Sequence, residues 1–171
     1  TFSYDDVQEW AKDTELILLC SPILHILKML EMLKNVSVDR PVVVSDIGST
    51  KAEICKAGAL LPKPFLFVGG HPMAGSEKRT LEYNDPSLFE NAFWFLCPQA
   101  STKKEDYALL SELISFLGSE QVLFDAKEHD DTIAWLSHMP QMVSTTLAGN
   151  LPERLLKNNY QHFAGRGFRD M

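Results

Sequence analysis

Along this chain hydrophobic residues come first in short unbroken runs and later at helical spacing. The runs are residues 16–20 (LILLC), 41–44 (PVVV), 64–68 (PFLFV), 92–96 (AFWFL) and 121–124 (QVLF). Runs of this length and makeup predict strands buried on both faces. Between the first two runs, Ile23, Ile26, Leu27, Leu30 and Leu33 recur every three or four residues, which predicts a helix with one apolar stripe. Ser21 is the expected N-cap, with Pro22 at the first helical position. Residues 50–61 and 103–117 predict two further helices, and residues 69–91 a looser segment. Strands alternating with helices imply right-handed crossovers, hence an α/β fold with a parallel or mostly parallel sheet.

From Ala126 the pattern changes. Residues 126–150 form one long helical stretch, with Ile133, Leu136, Val143 and Leu147 on its apolar face and no strand signal afterwards. Pro140 cannot donate a hydrogen bond to the carbonyl of Leu136, so a kink is expected there. Asp131, Ala134, His138, Gln141 and Thr145 make a neighbouring, mainly polar stripe. It is either a solvated face or the wall of a polar cavity. The boundary between the two textures divides the chain into residues 1–125 and 126–171.

Composition narrows the function. A net charge of −7 over 171 residues excludes a nucleic-acid footprint, which would have to be basic. It leaves room for a small anion near Lys51, Lys78, Arg79, Arg166 and Arg169, which flank glycine-rich stretches. Cys20, Cys55 and Cys97 fit no zinc or redox spacing, so buried thiols in a reducing cytoplasm are the expectation. No run approaches the ~20 apolar residues of a membrane span. The chain opens at Thr1 and stops after Phe168-Arg169-Asp170-Met171, and we read it as an internal piece of a longer protein.

Two motifs follow predicted strands directly: Asp46-Ile47-Gly48-Ser49-Thr50-Lys51 and Gly69-Gly70-His71-Pro72-Met73-Ala74-Gly75-Ser76-Glu77. In a parallel α/β sheet that is the carboxyl edge, where ligands bind. His71, expected in a rigid turn open to a crevice, suits proton transfer near neutral pH. Ser49 or Thr50 suits a helix N-cap, and a cap at that edge can also touch a ligand. Glu128-His129-Asp130-Asp131 reads as an acidic first turn that complements a helix dipole. Together with His138 it has ligating atoms but no metal spacing, and no metal is expected. Gly165-Arg166-Gly167 follows no strand, and no GxGxxG occurs anywhere.

Four segments in register carry a family resemblance: GGHPMAGSEK (69–78), DIGSTK (46–51), AWLSHMPQMVSTTLA (134–148) and GFRDM (167–171). Together they resemble the prephenate and arogenate dehydrogenases of tyrosine biosynthesis. The resemblance implies a Rossmann-type domain for NAD or NADP, incomplete at its N-terminus, followed by the start of an all-helical dimerisation domain and hence a homodimer. It also implies that the first βαβ unit, with its GxGxxG, and the arginine following the FRD motif lie outside this chain. The implied chemistry is oxidative decarboxylation of prephenate to 4-hydroxyphenylpyruvate, or of arogenate to tyrosine. On the same ground His71 accepts the proton of the ring hydroxyl and Ser49 orients it. His138 faces the substrate side chain, Ser76 and Glu77 line and gate the pocket, and Arg169 and Asp170 are the gate's ionic partners. Cys20, Ser21 and Pro22 form the loop beneath the cofactor. Two alternatives remain open to the sequence: a β-hydroxyacid dehydrogenase, which uses a lysine for proton transfer, and a non-catalytic nucleotide-binding regulator.

Overall fold

The computed structural model describes residues 7–75, 85–158 and 160–169. The chain divides into two compact units, Thr1–His129 and Asp130–Met171. In the first unit a short helix α1 (Val7–Trp10) and a 3-10 turn lead into strand β1 (Leu16–Leu19). Helix α2 (Ile23–Leu33), strand β2 (Val42–Asp46), helix α3 (Ala52–Gly58) and strand β3 (Phe65–Pro72) follow. Strand β4 (Phe93–Pro98), a 3-10 turn, helix α4 (Ala108–Phe116) and strand β5 (Glu120–Leu123) complete the sheet. Its order is β1-β2-β3-β4-β5. Every pairing is parallel except β3 with β4, which run antiparallel. All five predicted strands form, in the mostly parallel α/β sheet expected.

Alternation along β2 shows how the sheet is sandwiched. Val42 and Val44 join Ile26, Leu30 and Leu33 of α2 and Ile54 of α3 in one apolar cluster. Val43 turns the other way, to Leu110 and Ile114 of α4 with Val68 and Trp94. Successive side chains of a strand face opposite sides, so three neighbouring valines serve two cores. Helix α4 stops on Gly118, whose φ of 79° suits glycine. There Gly118 and Ser119 donate to the carbonyls of Ser115 and Ile114, a Schellman closure.

Local details depart from the sequence reading. Ser21 is not the cap of α2: Pro22 holds that place with extended backbone, and its carbonyl accepts from His25 and Ile26. Proline's fixed φ suits this position. Neither Ser49 nor Thr50 caps α3, which begins after Lys51 without a side-chain cap. Residues 69–72, expected to leave the sheet, stay in β3 because β4 pairs with them through Pro72 and Trp94. Cys97 is buried as expected, but Cys20 is exposed, one residue past the end of β1.

Helix α5 (Ala126–Ile133) runs through the boundary between the units. It continues as a π-helical segment, Ala134–His138, and then as α6 (Met139–Gly149), α7 (Glu153–Lys157), a 3-10 turn and α8 (Arg166–Arg169). The irregularity expected at Pro140 thus takes the form of a widened turn just before it. The N–H of Met139 reaches back five residues to the carbonyl of Ala134. Among the described residues no helix is long and apolar enough to cross a membrane.

Candidate active site

The site begins where β2 stops and β3 does not. The β2–β3 register ends at Ser45 and Val68, while β3 continues through Gly69, Gly70, His71 and Pro72. This overhang carries His71 to the carboxyl edge, where it is buried and aligned with Phe95 of β4. The loop of residues 47–51 leaves β2 at the same edge with Ser49 exposed, and residues 20–22 leave β1 there too.

His71 has a partner that the sequence reading missed. Its Nδ1 lies 2.9 Å from Nε2 of His129. His129 is fully buried, while Glu128 supplies the acidic first turn that the sequence suggested. The cap of α5 is Asp125, whose carboxylate accepts from the N–H groups of Lys127 and Glu128. The His129 ring stands edge-on to His71, Phe95 and Phe124. One signal was available: His129 and the buried Ile133 are four apart and share a helix face.

This contact has a chemical consequence. With both rings neutral, one nitrogen of the pair donates and the other accepts. If His71 Nδ1 carries the hydrogen, its Nε2 keeps a lone pair and can accept a proton. If His129 donates instead, the Nε2 of His71 carries a hydrogen and can only donate.

Beneath His71 lies a buried ion pair. Asp46, the last residue of β2, and Lys51, at the start of α3, are both fully buried, and Lys51 Nζ donates to Asp46 Oδ2. Asp46 also accepts from the N–H groups of Gly48 (2.8 Å) and Gly70 (3.1 Å), and Lys51 donates to the Gly70 carbonyl (2.7 Å). Burial pushes the Asp46 carboxyl above the usual carboxylate range, against the opposing pull of Lys51 and of the two N–H groups. Lys51, counted in the sequence among the cations open to a small anion, is instead buried at the start of α3, with its ammonium on Asp46 and the Gly70 carbonyl. Arg166 is exposed on α8.

In the second unit, the half-buried His138 lines an open depression of about 500 Å³ with Gln141, Met142, Thr145 and Thr146. Three members of the polar stripe therefore share one concave wall. Arg169 ends α8. Ser76, Glu77 and Asp170 lie outside the described residues, as do Lys78 and Arg79.

The family model described as "Prephenate dehydrogenase, nucleotide-binding domain" matches residues 1–123, and that of the "Prephenate dehydrogenase, dimerization domain" matches residues 125–171. The chain belongs to the prephenate dehydrogenase family. It is 34% identical to the prephenate dehydrogenase of Bacillus subtilis over 94% of its own length and 44% of that protein. It is 32% identical to the Lactococcus lactis enzyme over the same shares. The chain thus spans less than half the length of these prephenate dehydrogenases. Among solved structures, that of A. aeolicus prephenate dehydrogenase with hydroxyphenyl propionate and NAD+ matches at a TM-score of 0.81 and 29% identity, over 99% of this chain and 58% of that one. Synechocystis arogenate dehydrogenase matches at 0.69 and 31% identity, over 94% and 58%.

Proposed function

We propose that the enzyme carrying this chain oxidatively decarboxylates prephenate with NAD+ or NADP+, and that His71 takes the proton of the ring hydroxyl. The observation that carries this reading is the His71–His129 contact at the carboxyl edge of the sheet. With Nδ1–H of His71 donated to His129, Nε2 carries the lone pair that accepts the proton. The loss of CO2 then aromatises the ring. Residues 20–22 and Ser49 fit the nicotinamide end of the cofactor, because their loops leave β1 and β2 side by side at the edge where such sheets bind nucleotides. Bound there, NAD(P)+ supplies the hydride acceptor.

His138 suits the substrate side chain, since it and Gln141 bring polar groups to a concave wall. Ser76, Glu77, Arg169 and Asp170 are assigned to substrate binding in this reading. A second copy of the chain is expected on α6, which exposes Met139, Met142 and Val143. Arogenate is the second substrate reading, supported by the similarity to the Synechocystis enzyme. A comparison of kcat/KM for prephenate and arogenate, each with NAD+ and with NADP+, tests the proposal. Prephenate is expected to lead; turnover of neither would refute it.

A further inference from the structure

Strand β3 extends past its neighbour, so on the β2 side Gly70 has no strand to bond with. Two side chains take the place of that strand. Asp46 Oδ1 accepts the N–H of Gly70, and Lys51 Nζ donates to its carbonyl. The groups bonded are the two that a β-ladder would have used on that side. Close approach is built in as well: a Cβ on Gly70 would lie 2.4 Å from the Asp46 carbonyl oxygen.

A buried ion pair is a costly way to finish a sheet, since apolar residues of similar volume are often as stable or more so. What this one gains is position. The Gly70 carbonyl belongs to the peptide that begins His71, so the clamp fixes the backbone from which the His71 ring reaches His129. We propose that Asp46 and Lys51 are positioning residues for His71, holding its ring in register with His129. This rests on the reading of His71 as the proton acceptor.

The test uses Lys51→Met, Asp46→Asn and the double variant Asp46→Asn/Lys51→Met in the intact enzyme. Each is followed by Tm, by kcat and KM, and by the ¹⁵N shifts of the His71 ring. A misplacement of ~1 Å costs about 10²-fold in rate, so kcat in the single variants should fall about 10- to 100-fold, with KM changed far less. The His71 ring shifts should move. In the double variant, which buries no unpaired charge, Tm should return toward wild type while kcat stays at least about tenfold down. Recovery of kcat in step with Tm would show a merely structural pair and overturn the proposal, as would unmoved His71 shifts in any folded variant. Should a single variant fail to fold, the double variant carries the same comparison. A wild-type enzyme inactive on both substrates would defeat the functional reading instead, and the ring shifts would still report on the clamp.

Discussion

Replacing Gly70 with alanine perturbs the site through one carbon atom. The new Cβ would meet the Asp46 carbonyl oxygen at 2.4 Å, Ser45 Oγ at 2.9 Å and Trp94 Nε1 at 3.1 Å. The nearest of these is backbone, and Ser45 and Trp94 are buried, so no flexible side-chain end can swing away. To restore ordinary contact, β2 and β3 must part by about 1 Å. Overpacking of this kind costs about 1–3 kcal/mol. Parting the strands also weakens the charged hydrogen bonds of Asp46 and Lys51 to Gly70, about 1–3 kcal/mol more. A total near 3 kcal/mol corresponds to a Tm lower by about 10 °C. The same 1 Å displaces His71, which is worth about 10²-fold in kcat. Thermal unfolding by circular dichroism, with initial rates from reduced-nicotinamide absorbance, reads both effects. A variant with Tm within about 2 °C of wild type and unchanged kcat would refute the close-approach argument.

His71→Asn keeps much of the hydrogen bonding but cannot accept a proton, so kcat should fall about 10²–10⁴-fold. The acid limb of its pH–rate profile should flatten, because activity at low pH is lost through protonation of the base. His129→Phe keeps an aromatic ring but removes the acceptor for His71 Nδ1–H. A loss of about 10- to 100-fold in kcat is expected, with the His71 ring shifts moving toward the other tautomer; an unchanged rate would mean that His129 only packs. Gly149→Ala is the contrasting case. A Cβ on Gly149 meets nothing within 4 Å at the end of α6, so urea unfolding should show stability unchanged or raised by about 0.5–1 kcal/mol.

The strands were legible because runs such as PVVV and AFWFL allow little else, and the crossover helices followed from the spacing around Ile26 and Leu30. The glycine–histidine motifs were legible as edge chemistry. What misled was local grammar applied where a tertiary contact decides. Gly69, Gly70 and Pro72 signal a turn, yet an antiparallel partner some 25 residues on holds them in the sheet. His129 sits in an acidic tetrapeptide, and its burial depends on a ring 58 residues away. Lys51 looked like a surface cation for the same reason: its partner Asp46 is legible in the motif, but not the burial of the turn that folds Lys51 back onto the end of β2.

The widened turn at Ala134–His138 changes how the helix can vary. A π segment holds one residue more than the α-helix would over the same span. Removing one residue between Ala134 and His138 would leave an ordinary helix with its hydrogen bonds renumbered. Everything after the deletion would keep its orientation about the helix axis, whereas the same deletion in a regular α-helix would turn it by roughly 100°, since an α-helix has 3.6 residues per turn. The wall formed by His138, Gln141 and Thr145 and the exposed methionines of α6 would stay on the helix faces they hold. The widened turn is therefore a length buffer: it can give up one residue without re-aiming the polar face that follows it.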